Sequence, residues 1–251
     1  MSVTKGHVYG ALAAAALAAA YFSFATVWPR TLQFRDRAFP AGFREFVLRP
    51  TSSALDPFAG LQPAPAAGAA AQFSTREVCD ALFRDPDSPA VGNRESPVQI
   101  AAFLDYRCPY CKTLTGILSK VQAGDVRVVY KEWPVLGDNS VLGARAGLAA
   151  DKQGQYLAFH TRLMNSRFIP TTAYVEDVAA DLGMSLTQLR KDMGADATTR
   201  AIQRTSELAG ALRLIGTPVL VVGRTIVQGE VTRAQLDRLI ENEMRPAPKV
   251  C

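Results

Sequence analysis

Cysteine is scarce in this chain. Cys79, Cys108, Cys111 and Cys251 are all there are in 251 residues. Four are too few for a small disulfide-scaffolded protein, which needs a dense framework of bridges. Histidine is scarcer still, with His7 and His160 alone. A structural zinc site wants four ligands, usually two Cys pairs or Cys joined by His. One C-x-x-C and two scattered histidines do not make that set, so no metal is expected. Aromatic residues are 8% of the chain. No stretch interleaves them with Lys and Arg as a single-strand nucleic-acid binder would. The charge imbalance is mild, 28 basic against 23 acidic residues, which is weak ground for a nucleic-acid partner. There is no internal repeat. What remains is ordinary globular composition, long enough for one good core or one domain with appendages.

The first feature that is present is a long uncharged run, Val8 to Trp28, after Lys5. Its length matches what a helix needs to cross a bilayer, which fits an uncleaved signal anchor. Its alanine content and the triplet Ser23-Phe24-Ala25 fit a cleaved signal peptide. Arg30, Arg35 and Arg37 follow the run, and the positive-inside rule would keep that side cytoplasmic. The rest of the chain argues for an oxidising compartment, so a periplasmic domain is expected, held at the inner membrane if residues 8–28 are retained.

Residues Arg30 to Pro50 are basic and aromatic and read as a short juxtamembrane helix or an irregular tether. The stretch from Thr51 to Gln72 is Ala/Pro-rich and reads as a linker. Residues 29–73 thus form a juxtamembrane segment and linker, and 74–251 the folded domain. Ser74 or Thr75 caps a short helix to about Phe83, with Glu77 in its first turn. Val98 to Asp105 is a buried strand and Val126 to Glu132 a second one, separated by a helix that begins at the cysteine pair. Helical periodicity with breaks at Gly154, Pro170 and Gly183 fills about 140–214. Then come Gly216-Thr217-Pro218, a hydrophobic hairpin turning at Gly223-Arg224, and a last helix capped by Thr232. The order is βαβ, a helical insertion, then ββα.

The chemistry lies in Cys108-Pro109-Tyr110-Cys111. A thiolate is the attacking species in disulfide exchange. Cys108 falls at a helix N-terminus, where unpaired N–H groups and the helix dipole favour S⁻. Cys111 lies one turn further in and is the candidate resolving thiol. Pro109 suits the first turn because it has no N–H to leave unpaired. A βαβ context makes such a pair redox-active rather than half of a metal site. Pro218 is a candidate cis-proline, which would leave the Thr217 backbone free to pair with an extended substrate.

These residues resemble a known family. Phe103 to Lys112, then Lys131-Glu132-Trp133-Pro134-Val135-Leu136-Gly137, then Gly216-Thr217-Pro218 look like the DsbA-like thiol–disulfide interchange proteins. Leu82 to Pro86 and Val91-Gly92-Asn93 look like the lead-in of the Com1-like and ScsC-like branches. The resemblance covers about Ser74 to Met244. It implies an α/β thioredoxin fold with an inserted helical domain, preceded by the N-terminal segment and linker. It also implies Cys108 as nucleophile, Cys111 as resolving cysteine, Thr217-Pro218 as the substrate-binding loop, and no cofactor beyond the Cys108–Cys111 disulfide.

Two departures stand out. Many members carry a buried Glu six residues before the first cysteine; here that residue is Ala102. Asp105, Lys131 or Glu132 could take over proton transfer or pKa tuning. Alternatively Asp105 caps a strand end, and Lys131 and Glu132 are surface charges. The dipeptide is Pro109-Tyr110, where strongly oxidising members have Pro-His. This implies a potential more reducing than the about −120 mV of the strongest oxidant.

Two cysteines are left over in a chain expected to be exported, which suggests a structural Cys79–Cys251 bridge. The alternative is a free or intermolecular Cys251. His160 reads as a packed or surface helix residue. The functional expectation is an enzyme that forms disulfides in unfolded or reduced exported proteins and is reset by a membrane redox partner. A tethered reductase or isomerase, and a non-enzymatic envelope binding module, are the alternatives.

Overall fold

The computed structural model describes residues 32–48, 73–121, 125–245, 250 and 251. The expected leader over residues 8–28 and the linker stretch 51–72 lie outside the described residues. Phe34 to Cys251 form one compact unit.

Seven strands among the described residues make one sheet. They are β1 (Phe34–Asp36), β2 (Arg44–Phe46), β3 (Ala90–Val91), β4 (Val98–Leu104), β5 (Val126–Glu132), β6 (Val219–Val222) and β7 (Thr225–Gln228). Their spatial order is β1-β2-β7-β6-β4-β5-β3. β4 and β6 are the apolar runs VQIAAFL and VLVV. Such runs need cover on both faces, and both strands sit inside the sheet. β4 pairs parallel with β5, in register Ala102 to Tyr130, and antiparallel with β6, in register Phe103 to Val219. Gly223 turns β6 into β7 with φ +54°, a left-handed conformation that suits glycine.

The helices are α1 (Thr75–Phe83), α2 (Pro109–Val121), α3 (Asp138–Lys152), α4 (Tyr156–Met164), α5 (Thr172–Asp181), α6 (Leu186–Met193), α7 (Asp196–Ala211) and α8 (Arg233–Met244). α2 joins β4 to β5 as the crossover of a βαβ unit. α3 to α7 are the inserted helical domain, between β5 and β6. α1 starts with a reciprocal Ser74–Glu77 capping box and α8 with one between Thr232 and Gln235. The core on one side of the sheet gathers Phe103, Trp133, Val219, Val221 and Ile226 with Val78, Leu82 and Phe83 of α1 and Leu208 of α7.

The domain begins earlier than residue 74. The expected juxtamembrane helix or tether is instead two strands: β2 adds parallel to β7, and β1 folds back on β2. Phe43 between them is 1% exposed and belongs to the core. Arg44 fixes the pairing by donating to the Thr225 hydroxyl at 2.8 Å and to Glu243 at 2.8 Å. Cys79 and Cys251 are joined by a disulfide that ties α1 to the C-terminal tail.

Candidate active site

Cys108 and Cys111 sit where β4 hands over to α2. The handover is fixed by Asp105, which is 1% exposed. Its Oδ1 accepts from the Arg107 amide at 2.7 Å and the Ser140 hydroxyl at 2.7 Å. Its Oδ2 accepts from the amides of Val135 and Leu136 at 2.8 and 3.0 Å. A carboxylate with this many donors is an anchor for two loops, which favours the capping reading of Asp105. Its main-chain oxygen also receives the Cys108 amide at 3.1 Å.

Cys108 therefore stands just before the first turn of α2, beside the cis Thr217–Pro218 peptide. Its Sγ lies 3.4 Å from the Thr217 carbonyl oxygen. Both thiols are unlinked in the structure. Hydrogen bonding from Cys111, then from Thr217 and the amides of Cys111 and Tyr110, outweighs burial and lowers the Cys108 pKa from 9.0 to about 6. Burial first, and then the neighbouring Cys108, push the Cys111 thiol far up. The pair is thus one stable thiolate and one thiol that holds its proton. Tyr110, between them, is half exposed.

Apolar side chains surround this end of the domain. Val135, Leu136, Phe168, Ile169 and Ile215 are all exposed. Arg107 ties the first loop to the motif through the Leu136 carbonyl, at 2.7 Å. Lys112 ties the second through the Ser166 carbonyl, at 2.6 Å. Ile215 precedes the Thr217–Pro218 peptide by two residues.

Lys131 and Glu132 are not surface charges; they are 1% and 3% exposed. Adjacent on β5, they point to opposite faces. Lys131 reaches Ser88 Oγ at 2.7 Å and Asp85 at 3.4 Å, and burial lowers its pKa to about 8 against the pull of Asp85. Glu132 faces the helical insertion. Its Oε1 accepts from the hydroxyls of Tyr106 at 2.9 Å and Tyr156 at 2.7 Å. His160, fully buried, places Nδ1 3.1 and 3.2 Å from the same two hydroxyls and Nε2 3.2 Å from Thr115 Oγ1. Both ring nitrogens therefore have polar partners inside the core. This settles His160 as a packed residue.

The network links the strand end, the loop before Cys108, α2 and α4. Tyr106 and Tyr156 were not legible as its members. A trace lies in Gly143 and Gly147 of α3: a Cβ at Gly147 would stand 2.5 Å from the Tyr106 oxygen, and one at Gly143 2.8 Å from its ring.

Comparison with known proteins agrees with this geometry. A thioredoxin family model matches residues 84–242. A thioredoxin-like oxidoreductase from Silicibacter pomeroyi is 38% identical over 67% of this chain and 98% of its own, with a TM-score of 0.62. The catalytic domain of Proteus mirabilis ScsC is 31% identical over 67% and 96% of the two chains, with a TM-score of 0.61. The probable disulfide bond formation protein D of Bacillus anthracis is 23% identical over 65% of this chain and 82% of its own. The span matched by the family model takes in both motif sulfurs, the helical insertion and Pro218, and the chain accordingly belongs to the thioredoxin family, among its DsbA-like thiol–disulfide oxidoreductases.

Proposed function

We propose that the protein forms disulfides in exported proteins in the periplasm, with Cys108 as the exchanging sulfur and Cys111 as its resolving partner. The observation that carries this reading is the unequal pair: Cys108 lowered to about 6 and Cys111 pushed up. In the oxidised protein a substrate thiolate attacks Cys108 Sγ. The Cys108–Cys111 bond breaks, and Cys111 leaves with the electron pair and takes up a proton. A second substrate thiolate then attacks the substrate sulfur of the mixed disulfide. Cys108 leaves as a thiolate, and the substrate keeps the new disulfide. A thiolate this stable is a good leaving group and favours the reduced form of the enzyme, which drives oxidation of the substrate.

The redox carrier is the cysteine pair itself, and a membrane redox partner restores its disulfide. The Thr217–Pro218 peptide lies beside Cys108, where an extended substrate would pair with it. The exposed apolar side chains around the motif suit an unfolded chain. Residues 8–28 supply the export signal and, if retained, hold the domain at the inner membrane. The Cys79–Cys251 bridge fits that compartment.

The test is turnover of a reduced, unfolded substrate by the oxidised protein, with the potential measured against glutathione. Cys108→Ser is expected to abolish turnover, and Cys111→Ser to accumulate a mixed disulfide on a non-reducing gel. The potential is expected to be more reducing than about −120 mV, because Tyr110 lacks the histidine donor. Full turnover by Cys108→Ser would defeat the reading. A potential near the about −270 mV of thioredoxin, without oxidation of substrate, would favour the reductase alternative.

A further inference from the structure

The start of β4, the β6–β7 turn and the end of α8 enclose a cavity of about 440 Å³, a size common among small-molecule sites. Val98 stands in its wall, and β4 then runs seven residues to Leu104, close to the motif. At about 3.3 Å per residue, the cavity is ~20 Å from the redox pair.

One side chain dominates the wall: Arg84, Arg94, Arg127, Arg224 and Arg245 all line it. Arg84 is occupied by Asp80 at 2.7 Å. Two acidic side chains, Glu95 and Glu243, and the Cys251 main-chain end stand among the arginines, and Arg84 also donates to the Cys251 oxygen at 3.0 Å. Glu243 is already held by Arg44 and the Thr225 hydroxyl, each at 2.8 Å. Among the described residues the other four guanidiniums have no carboxylate within salt-bridge range. Arg127 donates to two neutral acceptors, the Phe83 carbonyl at 2.6 Å and Gln99 Oε1 at 3.2 Å. Burial lowers its pKa, and the like charge of Arg94 lowers it further. Cations gathered in a concave wall repel one another unless an anion lies among them.

Ser96, on the same wall, is 9% exposed, and its hydroxyl is buried with no hydrogen-bond partner in the structure. A buried hydroxyl left unpaired is costly. With no open surface of its own, that oxygen lies behind the wall, and Ser96 serves as an uncharged control for the arginines.

We propose that this cavity binds a small, multiply charged oxyanion, gripped by Arg94, Arg127, Arg224 and Arg245. Guanidinium forks match phosphate and carboxylate groups equally well in geometry. The ligand is therefore a phosphate ester or a small polycarboxylate, bound apart from the redox pair.

The test is calorimetric titration of the full chain with pyrophosphate and, separately, with citrate. At least one is expected to bind with one-to-one stoichiometry and to weaken as salt is raised. Arg94→Ala and Arg224→Ala are each expected to weaken binding about tenfold, the loss of one charge-assisted contact. Both should leave disulfide turnover unchanged. Ser96→Ala removes a hydroxyl that nothing else uses behind the wall, so it should stay folded and bind as the parent does. Binding of pyrophosphate alone identifies phosphate as the ligand group, and of citrate alone a polycarboxylate. Failure of both at millimolar concentration overturns the proposal. So does equal binding by Arg94→Ala, Arg224→Ala and the parent, or binding confined to anionic lipid vesicles.

Discussion

Cys108 and Thr217 are 109 residues apart in sequence, yet the sulfur of one lies 3.4 Å from the carbonyl oxygen of the other. The threonine side chain also favours the Cys108 thiolate and helps bring its pKa down. Thr217→Val keeps the shape and the carbonyl but removes the hydroxyl. The Cys108 titration is expected to move up from about 6, with the fold intact. Thiolate absorbance against pH reads this directly. An unmoved curve would show that Cys111 and the amides at the helix start hold the anion without the hydroxyl.

The same pKa makes the stability of the reduced protein depend on pH. Cys108 is more acidic folded, at about 6, than its ordinary 9.0. Its contribution to stability is therefore full above about pH 9 and is lost as pH falls through about 6. The oxidised protein has no such group. The stability of the reduced form relative to the oxidised form should rise from near pH 5 to near pH 9. Urea midpoints of both forms across that range check the sign.

Gly147 and Gly116 should respond oppositely to alanine. Both lie inside helices, where alanine is favoured by about 0.5–1 kcal/mol. At Gly116 the new Cβ meets nothing within 4 Å, so Gly116→Ala should stabilise by about that amount. At Gly147 it would press on the Tyr106 oxygen at 2.5 Å and Glu132 Oε1 at 3.0 Å. Gly147→Ala should destabilise by about 1–3 kcal/mol and disturb the loop leading to Cys108. Thermal melts of the two variants give the comparison.

The second disulfide should matter for stability and not for exchange. Cys79–Cys251 closes a separation of 172 residues. The Cys79→Ser/Cys251→Ser double variant is expected to lose about 2–5 kcal/mol in chemical unfolding. Its turnover on a reduced substrate should match the parent. Loss of turnover without loss of fold would give that bridge a part in the chemistry.

The half of the fold that carries the cysteine pair was legible because its signals are local. A buried strand is an apolar run, and a cysteine pair follows it at a helix start. The long helices of the insertion declare themselves by period. β1, β2 and β3 did not, because three residues or fewer carry no period and their pairing depends on β7 and β5. Lys131 and Glu132 looked like surface charges because their partners are remote. Asp85 and Ser88 lie more than forty residues before Lys131, and Tyr106 and His160 lie well to either side of Glu132. Alternation along a strand cannot announce that both of its faces are covered.

β2 in the sheet and α1 against the core have a practical meaning for the Ala/Pro-rich stretch between them. The elements on either side of it, β2 and α1, are fastened to the same body. A protease that nicks it would leave a two-piece molecule, its short first piece still clamped along β7 by backbone pairing and by Phe43. Deleting everything before residue 73 would instead strip two strands and uncover the edge of β7.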